Sequence, residues 1–307
     1  MIATIKAFAD QFFEETVRNR RHLHAHPELA FEEYETAAFI QAQLVDMEVV
    51  IEPGIAKTGL VVTLQGRRPG PTRALRADMD ALPIVEQNLL PFTSTRPGKM
   101  HACGHDAHTA SLITAIKILH SIREQLHGTV RFLFQPSEEK LPGGAKVMIE
   151  AGALAARTSG PAPTHIFGQH VAPELPTGTI GVRSGMYMAS TEEIYLTVRG
   201  QGGHGAAPHL LTADAVLVAS HIVVALQSVI SRNSPPDSPS VLSFGRFIAE
   251  GATNVIPEVV QIEGTFRAMD EKWRFQAHDL IRRVAIQTAE AFGATCEVNV
   301  IIGYPCL

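Results

Sequence analysis

The sequence predicts an α/β protein in two parts, a layered α/β domain of helices alternating with short apolar strands and then a smaller domain of βαββαβ order. Three observations predict this. Up to Ser184, apolar runs of strand length alternate with segments of helical periodicity, the pattern of a sheet covered by helices. After Ser184 the order becomes strand 192–199, helix 212–231, strand 240–247, strand 256–267, helix 270–292 and strand 295–302, the split βαβ or ferredoxin-like arrangement. A length of 307 residues, 45% hydrophobic and 19% charged, suits one large domain or two unequal ones.

The first helix runs into Arg21, and His26-Pro27 makes the turn after it. Apolar residues at helical spacing place a second helix from about Glu32 to Met47. Strands follow at Gly59 to Leu64 and Thr72 to Ala77, the latter ending at Asp78. A helix from Asp106 to about Gln125 leads to a buried strand, Thr129 to Phe134. Then come a helix near Gly144 to Glu150 and strands at His165 to Gln169 and Gly178 to Arg183. In the second domain the loop Asn233 to Pro239, with three prolines, joins a helix to a strand. The domain limits are therefore 1–184 and 185–302, and functional residues are expected at strand ends of the first.

A net charge of -5 with scattered Lys and Arg leaves no basic stripe for a phosphate backbone, so nucleic acid is not an expected partner. The longest apolar stretch, Ala215 to Ile230, is broken by Ser220, His221, Gln227 and Ser228 and reads as a half-buried helix, so no membrane is expected either. The N-terminus carries acidic residues where a signal peptide has its apolar core, which predicts a cytoplasmic protein. Cys103, Cys296 and Cys306 form no regular framework, which fits a reducing compartment and leaves at least one thiol for other chemistry.

The densest chemical signal is MHACGHDAHTA, residues 100–110. Cys103 and His105 lie two apart across Gly104, so a tight turn could aim a thiolate and an imidazole at one ion, and the N-terminus of the following helix would favour the thiolate. Sulfur with imidazole suits zinc, or manganese when oxygen ligands complete the shell. Taken alone, a Cys-x-His is more often a buried cysteine beside solvated histidines. A second signal is FLFQPSEEKLPGGA, residues 132–145, where Glu138 and Glu139 follow an apolar strand. Such a pair can divide labour, one carboxylate binding a metal while the other takes a proton from water, although most Glu-Glu pairs are surface charge. His170 ends another apolar strand in IFGQHVAPELPTG, a place where a histidine is more often a satisfied core residue. Convergence changes that weighing, since Cys103, His105, Glu139 and His170 all fall at element ends of one α/β domain. Asp78 and Asp80 in RADMDALPI lie at a fourth such end and could orient a ligating imidazole through its second nitrogen. A cysteine hydrolase using Cys103 with His101 or His105 as base stays open on these residues.

RHLHAHPELAFEE, RADMDALPI, MHACGHDAHTA, FQPSEE followed by GGA, GQHV, GQGGHGAAPH and NVIPE, in order over about residues 18–267, resemble the motifs of the aminoacylase and carboxypeptidase metallohydrolases. The most similar branch holds hippurate hydrolases, N-acyl-L-amino-acid amidohydrolases and auxin-conjugate hydrolases. The resemblance implies a zinc-exopeptidase-like α/β/α catalytic domain with an inserted lid, the βαββαβ domain, which also makes a homodimer. It implies hydrolysis of the amide of a small N-acyl amino acid, with dipeptidase or carboxypeptidase activity as the family alternative. It further implies two divalent metals, zinc or manganese with cobalt or nickel as options, on Cys103, His105, Glu139 and His170. Glu138 is then the general base, and His204 reaches the partner subunit's site to stabilise the oxyanion. Asn254 and Arg267 hold the substrate carboxylate.

The sequence departs from the family pattern at two places. It has Gly-Gly-His-Gly around His204 where relatives more often have Gly-Gly-His-Ala, which is expected to loosen the backbone there. The family also returns to its catalytic domain after the lid and supplies a further metal-ligating histidine, whereas this sequence ends at Leu307. Residues 303–307 then begin that return, and these 307 residues are expected to hold the second ion weakly, hydrolyse poorly and aggregate, or to act as a non-catalytic dimerising or binding remnant. His101 or His108 is the fallback for the missing ligand.

Overall fold

In the computed structural model, residues 1–210 and 213–307 are described, and they form two compact units, Met1–Thr179 and Ile180–Leu307. The first unit contains, in chain order, α1 (Ile2–Ala25), α2 (Tyr34–Ala42), β1 (Val50–Ile55), β2 (Gly59–Gln65), β3 (Arg68–Asp78), α3 (His105–Ser121), β4 (His127–Gln135), α4 (Gly144–Glu150) and β5 (Ile166–Gly168). Its five strands run in the order β1-β2-β4-β3-β5, with β3 parallel to both β4 and β5 and the pairs β1/β2 and β2/β4 antiparallel.

The sheet is apolar on both faces because helices cover both. Leu60, Val62 and Leu64 of β2 and Phe132 and Phe134 of β4 pack with Ile40 of α2 and with Ile113 and Ile116 of α3. The alternate residues Val61, Ala74 and Leu133 meet Met148 of α4 and Ala153. A strand buried on both sides reads as an unbroken apolar run, which is how β2 was legible in the sequence. The parallel register sets Asp78 opposite Gln135 and Arg76 opposite Gly168, so β3, β4 and β5 end on the same edge of the sheet. The segments after those ends carry Asp80, Glu138 with Glu139, and His170. In α/β sheets ligands gather at this carboxyl edge.

Several elements differ from the sequence expectation. Strand β1 has no counterpart in the sequence expectation; its Pro53 and Gly54 sit in an edge strand, at a bulge between Pro53 and Ile55, where a missing N–H and a φ of +78° are tolerated. Conversely, residues 178–183 form no strand: Ile180 and Val182 alternate as a strand would but are 89% and 90% exposed. Alternation makes a strand only where a neighbouring backbone accepts its hydrogen bonds. Helix α2 stops at Ala42 rather than Met47, and α1 continues four residues past Arg21, to Ala25.

The second unit holds β6 (Glu192–Arg199), β7 (Gly203–His204), α5 (Ala215–Ser228) running into a π-helical turn at Val229–Asn233, β8 (Ser240–Ile248), β9 (Val255–Ile256), β10 (Val259–Ala268), α6 (Glu271–Ala291) and β11 (Thr295–Ile302). The antiparallel order β11-β6-β10-β8 is that of a split βαβ sheet. Strand β6 buries alternate residues, and Ile194, Leu196 and Val198 join Val260, Ile262 and Phe266 of β10 beneath α5 and α6. The helices start where aspartates cap them: Asp214 accepts from the amides of Val216 and Leu217, and Asp270 from that of Trp273. The expected start of the first of these helices, residue 212, lies outside the described residues. By length and composition Ala215–Asn233 could cross a membrane, yet Val218, Ala219, Ile222 and Leu226 belong to the core on the sheet. The expected strand 256–267 is split, because Pro257 cannot donate to a ladder; Val255–Ile256 instead pairs antiparallel with Gly203–His204.

Candidate metal centre

The turn into α3 places the first two donors. Gly104, the N-cap, has a φ of +91°, and a Cβ there would lie 2.3 Å from Val171 Cγ2, so both backbone conformation and close approach require glycine. That approach brings Cys103 beside His170, with Sγ 3.4 Å from Nε2. His170 Nδ1 donates to Val171 O at 2.7 Å, which leaves the Nε2 lone pair facing the thiol.

His105 is fully buried, and its Nδ1 faces only acceptors, Asp80 O at 2.9 Å and Asp80 Oδ1 at 3.2 Å. Nδ1 therefore carries the proton in the neutral ring, and Nε2 presents its lone pair. That Nε2 has no hydrogen-bond partner, while Asp78 Oδ2 lies 3.7 Å away, Glu139 Oε1 3.9 Å and Glu138 Oε2 4.0 Å. Donor atoms of Cys103, His105 and His170 lie within 4.8 Å of one another, as do those of His105, Glu138 and Glu139. His105 belongs to both sets. A buried, unpartnered imidazole nitrogen ringed by a thiol, a second imidazole and two carboxylates fits divalent cations, so the residues present suit such a cofactor.

Asp78 and Asp80 hold this arrangement from behind. Asp80 Oδ2 accepts the Glu139 amide at 2.9 Å while Oδ1 faces His105, so one carboxylate orients two candidate ligands. Asp78 Oδ1 accepts from His108 Nδ1 at 2.6 Å and Oδ2 from Arg76 at 2.6 Å. The other His108 nitrogen accepts the Val171 amide at 2.9 Å. Both ring nitrogens of His108 are thus hydrogen-bonded, and its donors lie with those of Asp78 and His105 within 4.8 Å of one another, a third set that shares His105. The sequence offers His108 only as a ligand and carries no sign of its bonds to Asp78 and Val171, although its position three residues after His105 puts both on one helix face. His101 is buried with both ring nitrogens unpartnered, and its donors join none of the ligand sets among the described residues.

The electrostatics correct one expectation. Burial, then the charges of Glu139, Glu138 and Asp78, pushes the Cys103 thiol up to about 12, against the pull of the α3 N-terminus. Without a cation the thiol keeps its proton. The cysteine-hydrolase alternative is disfavoured on the same ground and by both of its candidate bases, since burial pushes His101 down to about 4 while the Asp80 bond and nearby carboxylates hold a proton on His105. For His105 burial is outweighed by the Asp80 hydrogen bond and the charges of Asp78, Asp80 and Glu138, which push it up to about 9. Burial raises Glu138, and the adjacent Glu139 raises it further. Asp78, although burial opposes ionisation, is held well below the carboxylate range by His108 and Arg76.

In the second unit, β7 and β9 bring His204 and Asn254 together: His204 pairs with Val255, and the Gly205 amide donates to Asn254 O at 2.8 Å. His204 Nδ1 accepts the Ala206 amide at 3.1 Å, so its neutral ring carries the proton on an exposed Nε2. The backbone that Gly205 was expected to loosen is tied by that bond, and a Cβ there would make only ordinary contacts at 3.6 Å. Arg267 lies near the end of β10, where Nη1 donates to Ser190 O at 3.5 Å.

The profile of Peptidase family M20/M25/M40 matches residues 74–304. The chain belongs to this family. An N-acyl-L-amino acid amidohydrolase of Geobacillus stearothermophilus is 41% identical over 300 residues, 98% of this chain and 79% of the relative. An N-acetylcysteine deacetylase of Bacillus subtilis is 43% identical over 291 residues, 94% of this chain and 74% of the relative. Among solved structures, a Bacillus subtilis protein described as a dinuclear metal binding peptidase from the M20 family superposes with a TM-score of 0.80 at 38% identity, over 98% of this chain and 76% of that one. This M20 chain is therefore a hydrolytic enzyme that uses divalent metal.

Proposed function

We propose that the chain hydrolyses the amide bond of N-acyl amino acids, with Cys103, His105, Glu139 and His170 as ligands of two divalent metals and Glu138 as general base. The observation that carries the reading is the unpartnered Nε2 of buried His105, shared between a thiol-imidazole set and the Glu138–Glu139 pair. It agrees with relatives named for N-acyl amino acid hydrolysis and deacetylation. When bound, divalent ions polarise the substrate carbonyl and acidify water.

The neighbouring carboxylates are held differently, which supports separate roles. The Glu139 backbone is fixed by Asp80, whereas burial and Glu139 itself raise the proton affinity of Glu138. Water oxygen adds to the amide carbonyl carbon as Glu138 takes a water proton. The C–N bond then breaks as Glu138 passes that proton to the leaving amine, giving a carboxylic acid and a free amino acid. His204, its Nδ1 engaged by Ala206, offers Nε2–H to the oxyanion, and in a homodimer formed through the second domain it would serve the other subunit's site. Asn254 and Arg267 select the substrate carboxylate. The metals proposed are zinc or manganese, with cobalt or nickel able to replace them. A cytoplasmic, reducing setting suits a thiol ligand in a chain whose Cys103, Cys296 and Cys306 are all free.

The test is metal analysis of purified protein together with a hydrolysis screen of hippurate, N-acetyl amino acids and dipeptides. Turnover that chelation abolishes and metal restores is expected; no turnover with zinc, manganese, cobalt or nickel would overturn the reading.

A further inference from the structure

One buried acid has no part in the chemistry above. Glu33 is fully buried between α1 and α2, in the segment that reads HPELAFEE. Its Oε1 accepts the backbone amide of Ser137 at 2.7 Å, and its Oε2 accepts the Thr58 hydroxyl at 2.5 Å. Ser137 immediately precedes the Glu138–Glu139 pair and has a φ of +47°, a left-handed conformation disfavoured for a residue with a Cβ. Within its own turn Ser137 donates from Oγ to Lys140 O at 3.0 Å and accepts the Gly144 amide at 2.8 Å. Gly144 is needed for that approach, since a Cβ would lie 1.8 Å from Pro136 O.

Two carboxylates from distant parts of the chain therefore flank Glu138 symmetrically. Glu33 holds the amide before it, and Asp80 holds the amide after it at 2.9 Å. The segment that bears Glu33 is itself tied to the Asp80 strand end: Leu29 bridges Ala81, and the Ala81 amide donates to Glu28 O at 2.8 Å. Glu28 in turn accepts the Thr36 amide and hydroxyl at 2.8 and 2.9 Å, which fixes the start of α2. The HPELAFEE segment thus clamps the two loops that carry Asp80 and the Glu138–Glu139 pair.

We propose that Glu33 is a positioning residue for amide hydrolysis, its carboxylate fixing Ser137 in the left-handed conformation and thereby aiming Glu138; this rests on the reading of Glu138 as the base. The geometry favours this over a plain core strut because the Glu33 bond anchors the peptide plane from which the left-handed Ser137 φ is measured, and rotation about that N–Cα bond redirects Glu138. A displacement of about 1 Å of a reacting group can cost about 100-fold in rate.

The experiment compares Glu33→Gln, Glu33→Met and Glu33→Asp in the metal-loaded chain, reading kcat, KM, metal content, melting temperature and amide hydrogen exchange over residues 134–141. Glu33→Gln keeps an acceptor for Ser137 and is expected to stay within about threefold of the parent kcat. Glu33→Met keeps the volume without the acceptor and should lose about 10- to 100-fold in kcat, with KM nearly unchanged and faster exchange at Ser137 and Glu139. Glu33→Asp, charged but one methylene short, should behave like Met and carries the test if Met does not fold. Parent-like kcat and parent-like exchange in the folded Met or Asp variant would overturn the proposal. A Glu138→Gln control separates the two ideas, since turnover surviving there defeats the base assignment whatever Glu33 does, while the exchange readout reports on Glu33 independently of turnover.

Discussion

His108 Nδ1 lies 2.6 Å from Asp78 Oδ1, and the opposite nitrogen of the same ring receives the Val171 amide. One imidazole thereby ties the end of β3 to the residue after His170. Arg76, bonded to the other Asp78 oxygen and through Nε to Gln135 at 2.8 Å, extends the tie to the end of β4. Replacing His108 with Leu should leave His170 poorly oriented and lower metal affinity or turnover about 10- to 100-fold, the usual scale for an outer partner of a ligand. Metal titration of the chelator-treated variant against the parent measures it, and parent affinity would show that Val171 needs no such anchor.

Cys103→Ala and Glu139→Ala should each lower the metal bound per chain, whereas Glu138→Gln should keep it and lose about 10²–10⁴ in turnover. That range corresponds to about 3–5 kcal/mol at the transition state. Elemental analysis beside single-substrate kinetics distinguishes the classes, and equal metal loss in the Glu138 and Glu139 variants would end the division of roles.

Metal-free protein should lose stability as pH rises from 6.5 to about 9, the interval between the ordinary His105 pKa and the raised folded one. In that interval the folded state holds a proton that the unfolded state has released, so the contribution is complete below 6.5 and gone above about 9. Metal affinity should move oppositely, because metal displaces the His105 and Cys103 protons. Melting temperatures of the chelated protein and calorimetry in two buffers of different ionisation enthalpy test this; metal uptake without proton release would contradict it.

Gly104→Ala places a Cβ 2.3 Å from Val171 Cγ2 at a φ of +91°. A loss of about 1–3 kcal/mol in folding stability is expected from the backbone conformation alone. Chemical denaturation should show it, together with weaker metal binding as Val171 and His170 shift. An unchanged midpoint would mean that the turn can re-form without glycine.

His204→Ala subunits mixed with Glu138→Gln subunits should recover part of the activity that each lacks alone, if His204 acts across a homodimer. Absence of recovery after demonstrated subunit exchange would point to action within one subunit.

The sequence by itself determined the alternation of elements in the first unit and the βαββαβ order of the second, because apolar periodicity follows from which faces must be buried. It also marked Cys103, His105, Glu138, Glu139 and His170 as residues at element ends. It left β1 unassigned, where Pro53 and Gly54 are tolerated at an edge bulge, and it misjudged residues 178–183, where alternating side chains have no ladder to join. Only the tertiary structure decided that Cys103 and His170 meet, since 67 residues separate them and the Gly104–Val171 approach joins their turns. It alone decided which His105 nitrogen faces Asp80, the proton that the thiol keeps when no metal is bound, and the bonds of His108 and Glu33. Those properties depend on which acceptors, charges and amides surround each group after folding. Local sequence carries no record of neighbours as distant as Glu33 from Ser137, 104 residues apart.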